Sequence, residues 1–176
     1  DVAPEIVAAC PITHVEALLP NVANRAIRKG PDLFAPERAN SQGFDLTDAG
    51  TLARIDEARG AHAAEEFLAD PVIAGHVVGL PVRRVADPAN GQHIGRVTDA
   101  GPADVETALA AARVWSAPVA QRAAILNRAA DLYEENFGLF FALLAREAGK
   151  TQADAISELR EAVDFLRYYA ARSLAE

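Results

Sequence analysis

The sequence predicts a mostly α-helical segment carrying one β-hairpin, and three observations lead there. From residue 102 onward, apolar residues recur at helical spacing. Between residues 76 and 98 that period gives way to short apolar pairs on either side of a turn. Gly149 followed by Thr151 then places a helix stop beside a helix start.

The elements follow in chain order. Residues 1–30 predict one or two short helices, with Val2, Ile6 and Val7 on one face and Val15, Leu18 and Leu19 on another, broken by Pro11 and Pro20. The stretch KGPDLFAPERANSQGFDLTDAG, residues 29–50, mixes Pro and Gly without a sustained period and predicts an extended surface crossing. Thr47 is the expected N-cap of a helix from about 48 to 69, with Leu52, Ile55, Phe67 and Leu68 as its apolar positions. In LPVRRVADPANGQHIGRVT, Val82 and Val85 precede the turn and Ile94 and Val97 follow it. Pro88 and the pair Asn90-Gly91 supply the backbone angles a tight reversal needs.

Pro102 suits the first turn of the next helix, whose apolar line is Val105, Leu109, Ala112 and Trp115. Pro118 opens another, with Ile125, Leu126, Ala129, Leu132 and Tyr133 on one face. A slip at 136–138 separates it from a third that carries Phe140, Leu143 and Leu144. Gly149 ends that helix in the left-handed region, and Thr151 caps the last one with Asp154 three residues on. Ile156, Leu159, Val163, Leu166 and Ala170 form its expected buried stripe. Arg160 with Asp164 is an expected i,i+4 ion pair worth ~0.3 kcal/mol.

At 176 residues the chain has the length of one ordinary domain, enough to bury roughly 70% of the surface its unfolded form exposes. Charges interrupt every apolar run well short of the ~20 residues a membrane span requires. The start, DVAPEIVAACP, lacks a basic region ahead of an apolar core, which argues against a secretory signal. A single cysteine, Cys10, cannot form an internal disulfide, in keeping with a reducing cytoplasm. The net charge of −8 argues against a general nucleic-acid binder, and the basic residues Arg25, Arg28 and Lys29 read as a solvated face. The chain contains no Met and opens on Asp, so a piece of a longer polypeptide is expected.

Site patterns fail one after another: there is no G-x-S-x-G, H-E-x-x-H, Walker loop or G-x-G-x-x-G. His14, His62, His76 and His93 fall on different predicted elements, so no shared metal site is expected. Cys10 precedes a proline without a local activating group and reads as an inert thiol. By spacing alone, Glu158, Glu161 and Asp164 form a solvated face in the N-terminal half of the last helix, where the dipole favours negative charge. Trp115, Phe137, Phe140 and Phe141 read as core rather than as a stacking platform.

Four stretches in order, NSQGFDLTD (40–48), RAAILNRAADLYE (122–134), LLAREAGKT (143–151) and ELREAVDFLRYYA (158–170), resemble the bacterial proline utilization A flavoenzymes. The resemblance implies an α/β parent with an aldehyde dehydrogenase-like fold. It divides the chain into the tail of a proline dehydrogenase domain (1–30), a linker (31–50) and the incomplete N-terminal part of an aldehyde dehydrogenase domain (51–176). The implied parent oxidises proline with FAD and then glutamate γ-semialdehyde to glutamate with NAD. In that family the catalytic and NAD-binding residues lie downstream of the RYYA helix and the FAD-binding residues upstream. The segment alone is therefore expected to hold neither cofactor and to be inactive. The resemblance carries one role over, to Glu161, whose counterpart faces the aldehyde entrance, where a carboxylate would pair with the α-ammonium of the substrate.

The partners so implied are the rest of the parent polypeptide and its small-molecule substrate, with self-association through exposed apolar faces and no nucleic acid. The implied location is the cytoplasm, with the parent peripheral at the inner membrane. A second reading stays open: a non-catalytic helical interaction module on an aldehyde dehydrogenase-derived scaffold.

Overall fold

Helices from the middle and the end of the chain pack against one another and carry a small three-stranded sheet. The computed structural model describes residues 2–20 and 26–175. Its elements are α1 (Pro4–Val7), α2 (Pro11–Ala17), α3 (Ala49–Gly60), β1 (Phe67–Ala69), β2 (Arg83–Ala86), β3 (His93–Val97), α4 (Pro102–Ala111), α5 (Val119–Glu135), α6 (Phe137–Ala148) and α7 (Gln152–Ala175).

The N-terminal helices form as the prolines dictate, Pro11 opening α2, but neither buries a residue. Their apolar faces stay exposed, so the spacing predicted the helices and not a packing partner. Arg25 lies outside the described residues; Lys29 is exposed, and exposed Arg28 donates to the carbonyl of Ala35 (2.5 Å).

The helix expected from 48 to 69 is shorter. Asp48, not Thr47, caps it, accepting the N–H of Thr51 (2.7 Å), while Thr47 turns back to Asp45. α3 ends at Gly60, and Phe67 and Leu68 belong to β1, which pairs in parallel with β3 through Phe67↔Gly95 and Ala69↔Val97. A strand pairing across about thirty residues overrides a local apolar stripe, because the free edge of β3 needs backbone partners. The predicted hairpin is present: β2 pairs antiparallel with β3, giving the order β1-β3-β2, with a bulge between Val85 and Ala86. Its turn closes through Gly91 N–H to Asp87 (2.8 Å).

α4 starts at Pro102 as expected but stops at Ala111, and Val105, Leu109 and Trp115 are exposed rather than core. The buried residue of α4 is instead polar: Asp104 is 1% exposed and accepts the N–H groups of Gly101 (2.8 Å), Val78 (2.7 Å) and Gly79 (3.0 Å). It caps its own helix and fastens the 78–80 loop to it. These N–H groups, Gly101 first, hold the Asp104 carboxyl below the usual carboxylate range.

The core lies where α3, α6 and α7 meet: Ile55, Phe141, Ala155, Ile156 and Leu159 are buried, with Phe44, Phe137 and Phe140 packed around them. Phe44 meets Phe137 and Phe141 with ring centroids 5.2 and 5.3 Å apart. The expected phenylalanine core is thus present and is completed by a residue of the 38–46 stretch. On α5 the buried positions are Ala123 and Ala130, while Ile125 and Leu132 stay exposed. Small residues let α5 approach α7 closely, which an apolar-stripe count does not foresee.

Candidate functional site

The candidate site is built on α7. Gly149 sits at φ +63°, the left-handed stop of α6, and the N–H of Lys150 reaches back to the carbonyl of Leu144 (3.2 Å). Thr151 Oγ1 accepts the N–H of Asp154 (3.2 Å) and donates to its carboxylate (2.7 Å), so the expected cap is in place. With its start set, α7 presents three faces.

The first is the core face, Ala155, Ile156, Leu159, Val163 and Ala170. It matches the predicted stripe except at Leu166, which is half-buried, and at Arg167, a buried residue the apolar count missed.

The second face binds the stretch 38–42. Asp164 Oδ1 accepts Arg38 Nη1 (2.8 Å) and the N–H of Ser41 (3.0 Å), and Oδ2 accepts Ser41 Oγ (2.7 Å). Arg160 Nε donates to Ser41 Oγ (3.1 Å), so the expected Arg160–Asp164 pair is replaced by contacts that both residues make to the strap. Arg167 donates to both oxygens of Glu134 (3.2 and 2.7 Å), to Asp131 (2.9 Å) and to the carbonyl of Asn40 (3.3 Å). Glu134 also accepts the N–H of Gln42 (2.6 Å). Burial alone would lower the Arg167 charge state, and the two carboxylates outweigh it. The cluster is neutral: Arg38, Arg160 and Arg167 stand against Asp131, Glu134 and Asp164.

The third face is exposed and carries Glu161, Phe165, Tyr168 and Tyr169. Among the described residues Glu161 has no hydrogen-bond or ion-pair partner. About two turns further along α7, Tyr168 and Tyr169 line an open cleft of about 930 Å³ with Trp115, Ile125, Arg122 and Arg172, a cleft that Glu161 itself does not line. The three predicted acidic residues therefore part company. Glu158 pairs with Lys150 (2.7 Å), Asp164 turns to the strap, and Glu161 faces outward without a partner.

The remaining candidates stay apart. His62 pairs with Glu65 (2.5 Å) and His93 with Glu66 (3.0 Å). Among the described residues no group of three or more His, Cys, Asp or Glu is placed to hold a metal ion. Cys10 is exposed at the start of α2, where the N–H groups of Thr13 and Ile12 lower its thiol pKa.

Over residues 81–175, just over half of the chain, the sequence matches the model of the aldehyde dehydrogenase family. It is 40% identical over 173 residues to the bifunctional protein PutA of Escherichia coli (strain K12), covering 92% of this chain and 13% of that protein. It is similar to a crystal structure of a bifunctional proline utilization A protein, with a TM-score of 0.62 and 36% identity over 86% of this chain and 13% of the other. It is also similar to Thermus thermophilus 1-pyrroline-5-carboxylate dehydrogenase R100A, with a TM-score of 0.66 and 27% identity over 74% of this chain and 27% of the other. The chain thus spans about an eighth of the length of the PutA proteins it matches.

Proposed function

Because the chain belongs to the aldehyde dehydrogenase family, we propose that it is the junction segment of a bifunctional proline-catabolic enzyme. In this reading residues 1–30 end a proline dehydrogenase unit, 31–50 are the linker, and 51–176 begin the aldehyde dehydrogenase unit. The parent passes two electrons from proline to FAD, water opens the pyrroline product, and glutamate γ-semialdehyde is oxidised to glutamate with NAD. The observation that carries the reading is the identity to the E. coli protein, which covers 92% of the chain and so extends far ahead of residue 81.

Within that enzyme the segment is scaffold. The N-termini of α3 and α4, natural cradles for phosphate, are filled by the carboxylates of Asp48 and Asp104, and that of α7 is capped by the Thr151 hydroxyl. In this reading NAD and FAD are bound by other parts of the parent, and no step of either reaction is assigned to this chain. The parent is cytoplasmic and peripheral at the inner membrane. Among the described residues no helix is long and apolar enough to cross a membrane.

The one substrate contact assigned here is Glu161. Its carboxylate is exposed and unpartnered on the aromatic face of α7, suited to receive the α-ammonium of the semialdehyde in a charge-assisted hydrogen bond. The test is the kinetics of Glu161→Ala in the full-length enzyme. A KM for the semialdehyde raised tenfold or more is expected, with proline oxidation unchanged; an unaltered KM removes the assignment. Absence of NADH formation by residues 1–176 alone is the matching expectation for the scaffold role.

A further inference from the structure

We propose that Asp164 is a positioning residue: by anchoring the strap 38–42 to α7 it holds the turn of that helix on which Glu161 stands. The inference rests on the reading of Glu161 as the substrate contact, and it adds a role for the strap and its lock.

Glu161 has no partner of its own among the described residues, so nothing but the backbone of α7 sets where its carboxylate lies. At 100° per residue, Asp164 is about 60° around the helix from Glu161 and less than one turn along it. Asp164 is bound to the strap by three hydrogen bonds that use both of its oxygens. Ser41, which supplies two of the donors, is 1% exposed. Arg160, the residue before Glu161, reaches the same Ser41 hydroxyl, so the strap grips the helix on both sides of Glu161 in sequence.

The strap is itself held at two further points, and the chain just beyond it at a third. Asn40 and Gln42 are bonded to Arg167 and Glu134, and Phe44 is packed into the core. A segment so fastened is a fixed strut and not a loose connection. Its removal would leave the 160–164 turn supported by the core face alone, with half-buried Asp164 unpaired.

The experiment uses the full-length enzyme with Asp164→Asn, Glu161→Gln and the double substitution. Two readouts are taken: amide hydrogen exchange at Ser41 and Gln42, and KM and kcat for the semialdehyde. Asp164→Asn preserves shape and removes charge. It is expected to speed exchange at both amides at least tenfold and to raise KM several-fold with kcat within about twofold. In the Glu161→Gln background the same substitution is expected to add nothing to KM. Faster exchange with an unchanged KM, while Glu161→Gln raises KM, overturns the positioning role and leaves the Glu161 assignment intact. A KM rise that persists in full in the double variant overturns it too, because the effect then bypasses Glu161. An unchanged KM in Glu161→Gln defeats the underlying assignment instead. Should Asp164→Asn fail to fold, Ser41→Ala, which removes only the hydroxyl of the lock, takes its place under the same criteria.

Discussion

Arg167 and Glu134 meet fork to fork, Nη1 to Oε1 at 3.2 Å and Nη2 to Oε2 at 2.7 Å, with Arg167 only 8% exposed. The pair joins α7 to α5 with Arg167 buried and Glu134 half-buried, and Asp131 and the Asn40 carbonyl take further donors. Arg167→Met would leave half-buried Glu134 without its cation, a loss of about 1–3 kcal/mol. Arg167→Lys, which cannot make two parallel bonds, should recover only part of it. Urea unfolding followed by far-ultraviolet circular dichroism checks both, and equal midpoints for the two variants would contradict the bidentate argument.

The stop of α6 depends on one backbone angle. Gly149 lies at φ +63°, and a Cβ there would also stand 3.3 Å from Pro88 Cγ. Gly149→Ala is expected to cost about 1 kcal/mol from the left-handed conformation alone. Its urea midpoint should fall at an unchanged slope.

Gly95 on β3 serves a different need. A side chain there would run into the backbone carbonyl of Phe67 on β1, while the hairpin contact to β2 lies on the other edge. Gly95→Ala should therefore open the β1–β3 pairing and spare the hairpin. Exchange at the amide of Thr98, which donates to Ala69 (2.9 Å), should quicken, whereas that of Asp87, which donates to Gln92 (2.9 Å), should not.

Asp104 makes part of the fold sensitive to acid. Its native pKa is lowered, chiefly by the Gly101 and Val78 N–H groups, so the unfolded chain takes up the proton more readily than the native one. The carboxylate's contribution is complete above the unfolded value of about 3.9 and is lost as pH falls through the lower native value. Exchange at Val78 and Gly79, corrected for its intrinsic pH dependence, should show extra opening in that acid window. In Asp104→Asn the opening should be present at neutral pH and vary little with acid.

The sequence was most legible where causes are local. The helix ends at Pro102, Pro118, Gly149 and Thr151, and the turn at 87–92, depend on a fixed φ, a positive φ or a hydroxyl within reach of nearby N–H groups, and each is found. Thr47 was the local misreading: its N–H and hydroxyl are both taken by Asp45, and the next residue, Asp48, supplies the cap.

What the amino-acid sequence determined by itself is the run of helices, the hairpin and the family stamp of its motifs, since each rests on neighbours within a few positions of the chain. The tertiary structure alone decided which faces are covered. Phe67 left a helix for a strand because β3 had an unpaired edge, and Trp115 stayed exposed on the wall of an open cleft between α5 and α7 instead of entering the core. Half-buried Asp164 and buried Arg167 became partners of the strap because residues 38–42 cross helices about ninety to one hundred and twenty-five positions further on. Such pairings cost chain entropy to close and repay it only through contacts with the far segment. Periodicity records which side of a helix is apolar; it holds no record of what will come to lie against it.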